Sequence, residues 1–286
     1  TKIVNIGMDE AHMIGRGRYY DLHGDTDKVK ILIEHIKKVS GIGKKYGLTL
    51  LIWSDMFFRL AAGDYYRSNA KIDESVKEQI PDNVELIYWD YYSTERKHYD
   101  KMLSAHAKIK DGTWFAGGLW TWVGYAAHNE YSMRSTKAAL GACVKHSVKD
   151  VFLTMWGDDG AYCNYDSALA GLVYSADLAF GVKPDDTKTT AARFAATCGS
   201  SFQANITAGG IQATLTSGDK KYTVSPSMLI WDDPLMGIYF DECLRHDPEF
   251  DLKITDHYDE MLRKLLPHQD DKAAGDFEHI INALDL

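Results

Sequence analysis

Two carboxyl groups stand side by side at Asp9 and Glu10, just past the apolar run 2–8. The stretch around them reads IGMDEAHMIGRGRYYDLHG over residues 6–24. Neighbours on a strand point to opposite faces, so both acids can serve one substrate only where the strand has ended and the backbone turns. Their roles must then differ. Four later apolar runs also lead into acids and aromatics: Trp53 and Asp55; Tyr88, Trp89, Asp90, Tyr91 and Tyr92; Trp114, Trp120 and Trp122; Trp156, Asp158 and Asp159. Aromatic faces stack on the C–H faces of a sugar ring while carboxylates accept from its hydroxyls, so this mixture suits a pyranose. Core packing is the ordinary explanation for any single tryptophan. It explains less well why every tryptophan but Trp231 lies at or beside an apolar run. Sugar hydrolysis commonly divides its work between two carboxyl groups, one an acid and the other a nucleophile or base.

The elements that must position these residues follow from the hydropathy pattern. Runs 2–8, 48–53, 84–89, 114–120 and 150–156 are strand-sized, and several are apolar on both faces, as parallel strands covered by helices are. Between them lie helical patterns. The first has Asp25 to Asp27 at its entry, apolar Val29, Leu32, Ile33, Ile36 and Val39, and Lys44, Lys45 and Gly47 at its exit. Further helices are expected over 95–110, 131–147 and 167–180. Such alternation indicates repeated βα units, and functional residues gathered at the C-terminal ends of the strands indicate a (β/α)8 TIM barrel. A doubly wound sheet would favour a Gly-rich phosphate turn, but GRG (15–17) and GIG (41–43) lack the strand-turn-helix setting.

A closed barrel of this kind has eight strands. The chain is therefore expected to carry strands 4–8 only, with residues 1–182 as the C-terminal part of the barrel. The other strands would lie upstream of Thr1 or come from a second copy in a homodimer. Residues 183–286 are expected to form a mostly helical C-terminal domain, with helices over 188–204, 234–246 and 255–284 separated by the Gly/Ser/Thr-rich stretch 207–220. Asp232 and Asp233 before Pro234 are expected to open a helix.

Composition narrows the partners. The 286 residues carry a net charge of −9, with 45% apolar and 26% charged residues. Phosphate-binding surfaces need an excess of Lys and Arg, so no nucleic-acid partner is expected. No apolar run approaches the length of a membrane span, and no membrane partner is expected. The four cysteines show no CxxC pair and read as free thiols. His12, His23 and Asp21 fit no strong ligand motif, so no metal is expected. Arg16 and Arg18 read as braces for the loop through carboxylate pairs. A cytoplasmic location is favoured over secretion, with the native N-terminus open.

The stretch 6–24 resembles the Asp-Glu signature of family 20 glycoside hydrolases, the β-N-acetylhexosaminidases, and is most similar to the compact bacterial exo-β-N-acetylglucosaminidases of that family. YWD (88–90) and WGD (156–158) resemble later motifs, although much of the family has Glu at the position of Asp158. The likeness covers residues 2 to about 180, and the tail more loosely. It implies a retaining, exo-acting hydrolase without a cofactor, in which the substrate's own acetamido oxygen attacks the anomeric carbon to give an oxazolinium intermediate. Glu10 would be the general acid and then the base. Asp9 would orient the acetamido N–H, and Tyr88 would donate to the acetamido oxygen. Trp53, Trp120 and Trp156 would wall the sugar, while Asp90 and Asp158 would bind its outer hydroxyls. A general acid must hold its proton near neutral pH, which apolar walls and the charge of Asp9 would favour.

Two alternatives stand beside this reading. A retaining glycosidase with a protein nucleophile would use Asp55, Asp90 or Asp158. A chain starting at the fourth strand also lacks the Arg that the family supplies from its first, which leaves open an inactive fragment with only a carbohydrate-binding role.

Overall fold

The computed structural model describes residues 2–269 and 277–285, so part of the expected helix 255–284 (270–276) lies outside the described residues. Five strands, β1 (Ile3–Asn5), β2 (Thr49–Trp53), β3 (Val84–Trp89), β4 (Trp114–Gly118) and β5 (Val151–Thr154), form one sheet in chain order. The registers of β1 with β2, β2 with β3 and β3 with β4 are parallel. Parallel neighbours need long crossovers. These carry α1 (Arg18–His23) and α2 (Lys28–Lys45), then α3 (Asp55–Ala62) and α4 (Glu74–Lys77), then α5 (Arg96–His106), then α6 (Asn129–Lys145). The fold is thus α/β with a parallel sheet, as its strand pattern implies.

Local chemistry accounts for the elements. Asp27 caps α2 by accepting from the amides of Val29 and Lys30, while Lys44 and Lys45 sit in its last turn. Leu32, Ile33 and Ile36 form its buried stripe. Gly43, in the GIG run, packs so closely on Leu50 that a Cβ would meet that side chain at 3.0 Å. This glycine serves helix-sheet contact.

The strands show which way their side chains point. Trp53 is in register with Ile87, and Ile87 with Trp114. Trp53 and Trp114 both approach Phe152, at 5.9 and 6.4 Å between ring centroids. That face is distinct from the one where Tyr88 packs on α5, 4.5 Å from His106 and 6.4 Å from Tyr99.

Two compact units result. The first runs to Gly117 and takes in Ala138–Phe152; the second comprises Gly118–Lys137 and the chain from Leu153 onward. This division differs from the expected boundary at 182/183. In the second unit, Tyr125 and Ala126 from the loop after β4 share a core with Ala204, Ile211, Met261 and Phe277, so that loop belongs to the C-terminal half by packing.

The second unit contains α7 (Leu169–Ala179), α8 (Thr187–Cys198), α9 (Phe202–Ala208), α10 (Pro226–Ile230), α11 (Ile238–His246), α12 (Phe250–Leu265) and α13 (Phe277–Leu284). It also holds an antiparallel hairpin, β6 (Thr214–Ser217) with β7 (Lys220–Thr223), where only a linker was expected. Gly218 at φ +57° opens its two-residue Gly-Asp turn. The expected helix at 234 begins at Ile238 instead. Asp233 accepts from the amides of Leu235 and Met236 in a preceding turn, and Asp232 from that of Phe240 in the first turn of α11. All four cysteines are free thiols, and burial pushes those of Cys143 and Cys163 up to about 12 and about 11. Among the described residues, no helix is long and apolar enough to cross a membrane.

Candidate active site

The acid pair sits on a strained turn. β1 ends at Asn5, whose side chain accepts from the Gly7 amide, and the Gly7 carbonyl still accepts from the Trp53 amide at 3.1 Å. The backbone then turns left-handed, with φ of +72° at Met8 and +46° at Glu10. Each such non-glycine residue costs about 1–2 kcal/mol. Strain of this kind gathers at functional sites, where surrounding contacts over-determine it.

Those contacts converge on Asp55, the first residue of α3. Its carboxylate is fully buried and accepts from the Glu10 amide at 2.9 Å, the Arg59 Nε at 3.2 Å and the Trp89 indole at 3.4 Å. Burial raises the Asp55 pKa, and those donors oppose the rise. Arg59, one turn along α3, also donates to the Glu10 carboxylate at 3.1 Å. His12 lies 3.9 Å from the same oxygen. Asp9 and Glu10 are both exposed. Two basic side chains, Arg59 and His12, thus approach the Glu10 carboxylate.

At the end of β3 two of the expected residues are buried and hydrogen-bonded within the protein. Tyr88 is fully buried, and its hydroxyl donates to Asp90 at 2.7 Å. Its ring packs on the α5 side of the sheet, beside His106 and Tyr99. Asp90 is buried too, and its carboxylate also receives His98 Nε2 at 2.6 Å and the Tyr92 amide at 3.0 Å. Three protein donors occupy the oxygens that were expected to bind sugar hydroxyls. Asp90 instead fixes the loop that carries Tyr91, which is buried, and Tyr92, which is 49% exposed.

A buried relay lies under this loop. The Trp89 amide donates to the Tyr65 hydroxyl at 3.1 Å, and that hydroxyl lies 3.1 Å from Ser54 Oγ. His106 Nδ1 lies 2.7 Å from the Met102 carbonyl, which can only accept, so Nε2 is left to accept the Ser54 hydroxyl at 2.8 Å. This is the geometry of a nucleophile and its base. Ser54 and His106 are both fully buried, however, and the pair ties β2 to α5. Burial pushes the His106 imidazole down to about 4, which keeps it neutral.

The remaining expected residues belong to the second unit. Trp120 is half-buried, 5.4 Å from Trp122 and 4.4 Å from Tyr131 between ring centroids. Trp156 is exposed, and its carbonyl accepts from the Thr121 hydroxyl at 2.7 Å. Asp158 is exposed at the start of a short 3-10 turn, and with Trp120 it lines a cleft of about 860 Å³. Asp9, Glu10, Trp53, Tyr88 and Asp90 are in the first unit; among them Trp53 is buried and packs on Phe152.

Sequence reasoning passed over Arg59, His98 and Tyr65. Arg59 is the only one with a visible signal, its four-residue spacing from Asp55 on a helix. The chain matches no protein-family model and no curated protein.

Proposed function

We propose that the chain is the C-terminal part of a (β/α)8-barrel β-N-acetylhexosaminidase of family 20. It would release terminal N-acetylglucosamine, or N-acetylgalactosamine, with retention. The observation that carries the proposal is the strained turn that holds Asp9 and Glu10 in solvent while Asp55 and Arg59 fix it from behind. A turn is the one setting in which adjacent acids can act on one substrate.

In the proposed reaction Glu10 gives its proton to the glycosidic oxygen as the acetamido oxygen bonds to the anomeric carbon and the C–O bond breaks. Asp9 accepts from the acetamido N–H and steadies the charge that develops there. Water then attacks the anomeric carbon, and Glu10, as a carboxylate, takes the proton. The ion pair with Arg59 suits that second half. With Tyr88 committed to Asp90, the hydroxyl for the acetamido oxygen is assigned to Tyr92, whose exposed ring follows the amide that Asp90 anchors.

The rival with a protein nucleophile loses two of its three candidates, because Asp55 and Asp90 are buried and occupied. The test is release of p-nitrophenol from the β-N-acetylglucosaminide by this chain and by one extended upstream, with and without a thiazoline analogue of the acetamido sugar. Activity that the thiazoline blocks supports the proposal. Activity insensitive to it favours a protein nucleophile, and inactivity of both chains favours a binding role alone.

A further inference from the structure

The segment that joins α10 to α11 divides its apolar side chains between two directions. Leu229, Tyr239 and Cys243 pack inward on a core with Val224, Phe250 and Ile254. Met228, Ile230, Trp231, Leu235, Met236 and Ile238 are left exposed, Leu235 at 94% and Trp231 and Met236 at 64% each. Met228, Trp231 and Ile238 border one concavity, so these side chains are neighbours and form a patch. Together the six leave on the order of 800 Å² bare, more than the largest apolar patch of an ordinary monomer and about what one partner contributes to a standard interface.

The patch is held in shape before anything covers it. The Asp233 carboxylate accepts from the amides of Leu235 and Met236 at 2.9 and 2.8 Å, and that of Asp232 accepts from the Phe240 amide at 2.8 Å. The Gly237 amide closes the turn on the Asp233 carbonyl at 2.7 Å, with Gly237 at φ +52°. A surface already ordered gives up little freedom on association.

Charge decides what covers it. Asp232, Asp233, Asp241 and Glu242 are interspersed with the apolar residues or follow them directly, and such a surface repels an anionic membrane or a polyanion. On α11, Ile238, Asp241, Glu242 and Arg245 are all exposed, and their spacing of three and four residues puts them on one stripe. The acids stand ahead of Arg245, which lies in the last turn. Two such helices placed antiparallel about a two-fold axis bring the acids of each opposite the arginine of the other. The stripe is therefore complementary to itself, which is what an isologous contact requires.

We infer that this face binds a second copy of the chain, with α11 antiparallel to its counterpart, Asp241 opposite the partner's Arg245, and the apolar turns packed beside that pair. The second copy enters here as a partner for α11 and not as a donor of strands, and the contact does not depend on the hexosaminidase reading.

The experiment is sedimentation velocity of the full chain from about 1 to about 100 μM. A reversible equilibrium between one and two chains is expected. Leu235→Glu, at a position too exposed to disturb the fold, should weaken the dimer at least about tenfold, because a charge would be buried without a partner. Asp241→Arg and Arg245→Glu should each weaken it several-fold, and the two together should regain most of the affinity, as a charge swap across a two-fold axis must. Thermal unfolding of every variant, measured where the parent is a monomer, should match the parent. A parent that stays monomeric throughout overturns the inference. So does a dimer that Leu235→Glu leaves undiminished, since the contact then lies on another face. So do a charge-swapped variant no better than either single one, and growth beyond two chains. A dimer lost when the chain is extended upstream also overturns it, because the added segment is then what covers the patch.

Discussion

The main-chain amide of Glu10 donates to the carboxylate of Asp55 across 2.9 Å, joining the turn after β1 to the first residue of α3. The same carboxylate takes Arg59, which reaches on to the side chain of Glu10. One buried acid therefore sets both the backbone and the side-chain position of an exposed one. Asp55→Asn keeps the shape and removes the charge. It is expected to lower kcat by about a hundredfold through misplacement, with KM changed much less. Steady-state kinetics on the p-nitrophenyl substrate would check this, and an unchanged kcat would detach Asp55 from the site.

Glu10→Gln removes the proton donor while leaving an amide of the same shape. Turnover should fall by about 10²- to 10⁴-fold. Affinity for a non-hydrolysed thiazoline should stay within a few-fold. Full activity in this variant would eliminate Glu10 as the acid.

The two tyrosines of the β3 loop region should separate in their effects. Tyr88→Phe withdraws a buried donor from Asp90 and should cost about 1–3 kcal/mol in denaturant unfolding, with a smaller kinetic effect. Tyr92→Phe should leave stability nearly unchanged and lower turnover of acetamido substrates. The opposite pattern would return the catalytic hydroxyl to Tyr88.

His106 gives the fold a specific acid sensitivity. The unfolded chain begins to take up its proton near pH 6.5, whereas the buried imidazole resists until about 4. The unfolded state therefore binds more protons in this window, so the stability held by neutral His106 is present above it and is lost as pH falls through it. Between pH 7 and pH 5 the loss should be about 2 kcal/mol from this group. His128, also pushed down to about 4 by burial, adds to the loss with the same sign. Urea unfolding across that range should show a shallower pH slope in His106→Gln than in the parent; an equal slope would contradict the assignment.

Gly209 offers a test of packing in the second unit. A Cβ there would collide with the carbonyl oxygen of Ala127 and lie 3.0 Å from the Asn129 amide, both of them backbone. Gly209→Ala should destabilise by about 3 kcal/mol, since backbone cannot yield as a side-chain tip does. A lowered thermal midpoint would report it.

The elements of the sheet were legible because each strand is a short apolar run and each crossover carries a helical stripe. Val84–Trp89 and Lys28–Lys45 fall almost where hydropathy puts them. The hairpin at 214–223 was hidden by its polar composition, although Gly218-Asp219 is a hairpin turn signal. Asp9 and Glu10 could be read from their position after a strand. The roles of Tyr88 and Asp90 could not, because motif spacing does not say which face of β3 meets α5, and Asp90 collects donors from Tyr88, His98 and Tyr92 that only the folded loop brings together. Arg59 escaped for a related reason: its partner Glu10 is far away in sequence.

Each strand of the parallel sheet pairs with its immediate predecessor in the chain, Ile3 with Thr49, Leu50 with Val84 and Ile87 with Trp114. A chain leaving the ribosome from its N-terminal side thus delivers every strand to an edge already assembled. Closing each crossover adds an entropic cost that rises only logarithmically with its length. Growth by stepwise addition, without waiting for distant segments, is the folding order that this connectivity permits.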